Sequence, residues 1–93
     1  MPLNTLRFYQ TPGVQALEIV HLDVAASLIA KEFTGKEEFL VFEYKEGKTV
    51  ITDGNETILA TMNHHRLFSK KVWAIYSEEE GVQYYTFLLP EEY

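Results

Sequence analysis

Glu37-Glu38-Phe39-Leu40-Val41-Phe42-Glu43-Tyr44-Lys45, closed by Glu46-Gly47, is the stretch whose reading decides the fold. It is rich in aromatic and β-branched residues, which suit a pleated, half-buried surface. Side chains alternate along a strand, so Leu40, Phe42 and Tyr44 share one face. Phe39 and Val41 take the other, followed by Glu43 and Lys45. The pattern predicts a strand that begins buried on both sides and ends wet on one. Gly47 supplies the positive φ of a tight reversal, and Lys48 to Thr52 returns as a second strand. Asp53-Gly54-Asn55 is a second turn signal. Glu56 to Met62 follows as a third strand, with Ile58, Ala60 and Met62 on one face and Thr57, Leu59 and Thr61 on the other. Two tight turns in succession predict three adjacent antiparallel strands.

Working towards the end of the chain, Asn63 to Lys70 reads as a polar connection. Lys71 to Ser77 reads as a fourth strand of the meander, with Val72, Ala74 and Tyr76 opposed to Trp73 and Ile75. Glu78-Glu79-Glu80-Gly81 is a charged turn. Val82 to Leu89 is the last strand, stopped by Pro90, which has no N–H to donate.

Working towards the start, Leu6 to Gln10 is a short strand candidate and Thr11-Pro12-Gly13 a turn. Residues 12–22 then admit two readings. Ala16 to Leu22 forms a second strand on the strength of Ile19-Val20, or Thr11 caps a long helix with Pro12 in its first turn, running to Phe33. The strand is preferred, because Asp23 makes a good internal cap and Gly13 disfavours an early helix. Val24 to Phe33 is the firmer helix. Ala25, Ala26, Ile29, Ala30 and Phe33 form its apolar face, widened by Val24 and Leu28, and Asp23, Ser27 and Lys31 form one wet stripe. Gly35 is a left-handed cap.

The expected fold is α+β: an antiparallel β-meander of about five strands, one helix packed across one face, and one or two extra N-terminal strands, in one domain over residues 1–93. The outline is similar to the cystatin-type arrangement of a sheet wrapped on a helix. Neither that family's central hairpin motif nor its protease-binding signatures occur, so the likeness implies no activity.

Ninety-three residues without a cysteine exclude disulfides, thiolate metal sites and a Cys nucleophile. No apolar run approaches the ~18 residues of a membrane span, and Met1-Pro2-Leu3-Asn4-Thr5 lacks a leader pattern, so a cytoplasmic setting is expected. The net charge of −6 repels phosphate backbones and disfavours direct nucleic-acid binding.

Candidate sites are few. His64, His65 and Arg66, with Lys70 and Lys71, make a locally basic connection on an acidic chain. It would suit a phosphate, a carboxylate or an acidic patch; the plain alternative is a solvated loop. Adjacent histidines on a strand point apart, and His21 is the only other one, so no metal site is assigned. No nucleophile with a base, Gly-rich phosphate loop or H-E-x-x-H occurs, so no catalytic residue and no cofactor is assigned. Glu78, Glu79 and Glu80, with Glu91 and Glu92, could imitate a row of phosphates, against the plainer reading of a solvated turn and tail.

Both faces of the expected sheet carry large apolar residues, and one helix can cover only one. Either the sheet closes on itself like a half-barrel, or its second face packs on another chain. Phe39, Val41, Trp73, Ile75, Tyr85 and Phe87 are assigned to such an interface, and a homodimer through this second face or an edge strand is expected. A protein-interaction or regulatory module, an inhibitor or subunit without chemistry of its own, is the leading functional expectation. The alternatives are a small-ligand or phosphate-ligand binder or small hydrolase using the His64–His65–Arg66 loop, and an acidic nucleic-acid mimic, of the kind some viruses make, that inhibits a nucleic-acid-binding protein.

Overall fold

Alternating apolar residues bounded by glycine turns produce six strands in one mixed sheet, seen in a computed structural model that describes residues 6–93. The leader-free reading of residues 1–5 lies outside the described residues. The strands are β1 (Leu6–Gln10), β2 (Phe39–Lys45), β3 (Lys48–Thr52), β4 (Ile58–Asn63), β5 (Val72–Glu79) and β6 (Val82–Leu88). Their order across the sheet is β1-β6-β5-β2-β3-β4. The result is a small α+β domain.

Strands β2, β3 and β4 are the expected meander, turned at Gly47 and Gly54, whose φ angles are +81° and +88°. The expected unbroken five-strand antiparallel meander stops there. β5 does not pair with β4; it crosses back and pairs antiparallel with β2, placing Phe39 opposite Ile75 and Phe42 opposite Val72. β6 follows as a hairpin, and β1 closes that edge parallel to β6. The connection Asn63 to Lys70 makes this crossing possible, and it is not simply polar. Leu67 and Phe68 are buried within it, and Phe68 forms an antiparallel bridge with Val20. That bridge ties down a segment expected as strand or long helix and found as neither. Thr11 caps a single turn, α1 (Pro12–Gln15), with Pro12 in its first position, and the chain then runs irregularly to Val20.

Helix α2 (Leu22–Leu28) begins two residues earlier than expected and continues as a π-helical stretch, Ile29–Phe33. Asp23 lies in its first turn, where a carboxylate meets the positive helix end. Ala25, Ile29 and Phe33 are buried at four-residue spacing, whereas Val24 and Ala30 are exposed. The stripe facing the sheet is thus narrower than the composition suggests. Gly35 has φ +81°, the expected left-handed cap.

One core forms between these helices and one sheet face. It gathers Val14, Ala25, Ile29 and Phe33 with Leu40, Phe42, Ile51, Val72, Ala74, Tyr85 and Phe87. Phe42, Phe68 and Phe87 meet at centroid distances of 5.7–6.0 Å, the separations at which aromatic rings attract beyond simple burial. Strand β4 carries a bulge. Thr52 pairs with Ile58 and Ile51 with Ala60, leaving Leu59 as the extra residue. The bulge turns Leu59, Ala60 and Met62 towards the core and leaves Ile58 62% exposed. The simple alternation expected for this strand fails for that reason.

A polar clasp joins the turn after β1 to the residues after β6. The Glu92 carboxylate accepts from the Thr11 hydroxyl (2.6 Å), the Leu89 N–H (2.8 Å) and the Gly13 N–H (3.0 Å). These donors, the Thr11 hydroxyl first, hold its pKa below the ordinary 4.5. The contribution of the clasp is therefore complete above the unfolded pKa and is lost as pH falls through the lower folded value. Thermal melts from neutral to acid pH should show Glu92→Gln less stable at neutral pH and less sensitive to acid than the parent. Parallel curves for the two would remove the clasp from the account.

Candidate functional site

Residues paired across strands share a face, so the registers define what the uncovered side presents. Val41 pairs with both Thr52 and Trp73, Phe39 with Ile75, Glu43 with Val50, and Trp73 with Leu88. This side therefore carries Phe39, Val41, Val50, Trp73, Ile75 and Leu88. It continues through Tyr84, paired with Arg7, to Tyr9, paired with Thr86. None of Phe39, Val41, Trp73 and Ile75 belongs to the core beneath the helices, and all four are half-buried. Among the described residues no helix covers this side as α2 covers the other.

The aromatic residues on it are ordered against one another. Phe39 meets Trp73 edge-on, with centroids 5.1 Å apart and planes at 76°. Tyr93 also meets Trp73, at 5.7 Å and 65°. Tyr9 and Tyr84 form a third edge-on pair at 5.3 Å. Gly54 folds over Phe39 so closely that a Cβ there would lie 2.5 Å from the ring. A shallow groove of about 430 Å³ runs between Phe39, Val41 and Trp73 and the β3–β4 turn. Trp73 is the only tryptophan of the chain. Its face thus has the ingredients of a protein interface: aromatic anchors, partial burial and a charged rim.

The rim is charged with opposite signs at its two ends. Lys71 and Lys45 flank Glu43, each 3.9 Å from its carboxylate. At the other end stands Glu79, with Glu80 beyond it, whereas Glu78 and Glu38 lie on the helix side around Tyr76, whose N–H donates to the Glu38 carbonyl. Burial, then the charges of Glu78 and Glu38, push the Tyr76 hydroxyl above its usual pKa. Burial pushes the neighbouring Tyr85 up to about 12, and its hydroxyl donates to the Glu37 carbonyl at 2.6 Å. Neither phenol has the lowered pKa of an activated nucleophile.

Two of the residues assigned to the interface lie elsewhere. Tyr85 and Phe87 are fully buried on the helix side, in the core. Their position follows from the hairpin. The two-residue turn at Glu80-Gly81 pairs odd-numbered residues of β5 with even-numbered residues of β6, so Trp73 and Ile75 share their face with Leu88 and Thr86. Counting through that turn is the signal that locates them.

The basic connection is divided by the fold. His64 takes a left-handed conformation at φ +65°, and His64, His65 and Arg66 are all exposed. The Arg66 guanidinium lies 5.2 Å from the centre of the Tyr44 ring and donates to the Ser69 carbonyl. The His65 carbonyl accepts from the Thr49 hydroxyl at 2.5 Å. Arg66 and Lys70 border an open groove with Ala16, Leu17, Glu18 and Ile19, which neither histidine lines. Lys71 belongs to the opposite, uncovered face beside Glu43. Among the described residues no group of three or more His, Asp or Glu is placed to hold a metal ion. The acidic residues are divided too. Glu78, Glu79 and Glu80 stand at one end of β6, while Glu92 is engaged at the other. No helix among the described residues is long and apolar enough to cross a membrane.

Compared with known protein families, curated proteins and solved structures, the chain matches none of them.

Proposed function

We propose that the protein is a small interaction module, a regulator, inhibitor or subunit, that acts through the uncovered face of its sheet and performs no chemistry of its own. The supporting observation is the set Phe39, Val41, Trp73 and Ile75 on a face that no helix among the described residues covers. Half-buried apolar residues side by side on a sheet cost solvation free energy in a free monomer. Docking removes that cost, and the aromatic pairs are rigid enough to lose little conformational freedom on binding.

Ile75 lies at the centre of this face, opposite Phe39 and Thr86. A charge there would be desolvated at a bound surface yet tolerated at a half-exposed free one. Ile75→Asp should therefore keep the far-ultraviolet circular dichroism of the parent and lose at least about tenfold in affinity, the loss expected of a buried unpaired charge. The measurement is capture of partners from native lysate by the two proteins, side by side, followed by titration of what the parent retains. Equal capture by Ile75→Asp would show that binding runs through another surface.

A further inference from the structure

We infer that the partner on the uncovered face is a second copy of this chain, packed face to face with its strands reversed about a two-fold axis through Ile75. The inference rests on the reading of that face as the binding surface and adds the identity and orientation of what covers it.

The observation that carries it is the charge order along β5. On the uncovered side Lys71, just before this strand, is followed along it by Trp73, Ile75, Ser77 and Glu79. A cation and an anion thus stand at equal distances on either side of Ile75, each about 13 Å away at the rise of a strand. A two-fold axis lying in the interface and across the strands at Ile75 brings Lys71 of each copy over Glu79 of the other. Ile75 then meets Ile75, and Trp73 meets Ser77, a large side chain over a small one. Glu43 stands between Lys71 and Lys45, and Arg7 lines a groove with Glu79 and Glu80, so cations remain in excess at one end and anions at the other. An axis along the strands would instead set Glu79 against Glu79 and Lys71 against Lys71. Like charges brought together at an interface are costly, so the reversed arrangement is selected. Two twisted sheets pack in this aligned manner with their strand directions within about 30°.

Size fits as well. Six strands at about 4.8 Å spacing, each about six residues long, offer at most roughly 600 Å² per copy, since Val50 and Leu88 are already buried. Two copies then bury up to about 1,200 Å², at the lower bound for a specific interface.

Sedimentation equilibrium at about 100 µM, where a dimer with a dissociation constant of about 10 µM or tighter predominates, tests this with the parent, Lys71→Glu and Glu79→Lys. The parent should weigh twice the 10.8 kDa of one chain. Each variant alone should dimerise at least about tenfold more weakly, because each sets like charges against one another on both sides of the axis. An equimolar mixture of the two variants should regain dimer. In the mixed dimer the carboxylates of the Lys71→Glu copy face the ammonium groups of the Glu79→Lys copy at both sites. Recovery on mixing also shows that both variants are folded. A parent that stays at 10.8 kDa overturns the second copy as occupant and leaves the face to another protein, which the Ile75→Asp capture reads independently. A dimer that neither variant weakens, or that mixing does not restore, overturns the reversed orientation. A dimer that also survives Ile75→Asp overturns the use of this face altogether.

Discussion

Phe42→Ala lowers the unfolding free energy by about 3–5 kcal/mol, the cost of emptying a large aromatic site in a closed core. Phe42 is 1% exposed and stands on β2, an inner strand of the sheet, against Phe68 and Phe87. Its partners come from distant parts of the chain and cannot all close in on the space left behind. A domain of this size has about 5–15 kcal/mol in total, so the substitution removes a large share of its stability. Val41→Ala is the internal comparison. Val41 is the next residue on the strand but lies on the uncovered face, and it should cost only about 1 kcal/mol, because part of its surface meets solvent in the native state already. Urea unfolding of both variants measures the difference. Equal losses at the two positions would mean that the two faces are not distinguished as described.

Gly54→Ala is the second large effect, about 2–5 kcal/mol, from two causes that add. A φ of +88° costs a residue with a Cβ about 1–2 kcal/mol. The new methyl group would also lie 2.5 Å from the Phe39 ring, and displacing a packed ring costs about 1–3 kcal/mol more. Because Phe39 rests edge-on against Trp73, the displacement should also shift the tryptophan emission. Gly35→Ala separates the two causes. It shares the positive φ but has nothing within 4 Å, so it should carry the backbone cost alone and leave the emission unchanged. If Gly54→Ala is no worse than Gly35→Ala, the β3–β4 turn does not lie over Phe39.

These two sites also show what the sequence discloses. Gly47, Gly54 and Gly35 are legible because a reversal or helix end needs a positive φ that glycine adopts freely. The meander β2–β3–β4 follows from them, and so does the helix before it, from its four-residue spacing. The place of β5 is not legible. Nothing local distinguishes a strand that continues a meander from one that crosses back to β2, since that choice depends on burying Leu67 and Phe68 in a connection whose other residues are polar. The parallel pairing of β1 with β6 likewise joins distant parts of the chain and leaves no short-range pattern. Tyr85 and Phe87 fall on the wrong face when judged by residue type, because type does not fix parity across a hairpin; the length of the turn does. Phe39, Val41, Trp73 and Ile75 group by alternation and do share a face, but alternation does not say whether a helix lies across it. At the basic connection, His64, His65, Arg66 and Lys70 look like one cluster because they are close in sequence. The fold turns them different ways, with Arg66 and Lys70 alone at one groove.

Collisional quenching of Trp73 by acrylamide addresses the central claim most directly, because this single tryptophan reports only on the uncovered face. In the free protein at nanomolar concentration the indole should be readily quenched. In the complex with its bound partner, whether a second copy or another protein, quenching should fall several-fold. Undiminished quenching in the isolated complex would contradict the claim that the protein acts through this side of its sheet.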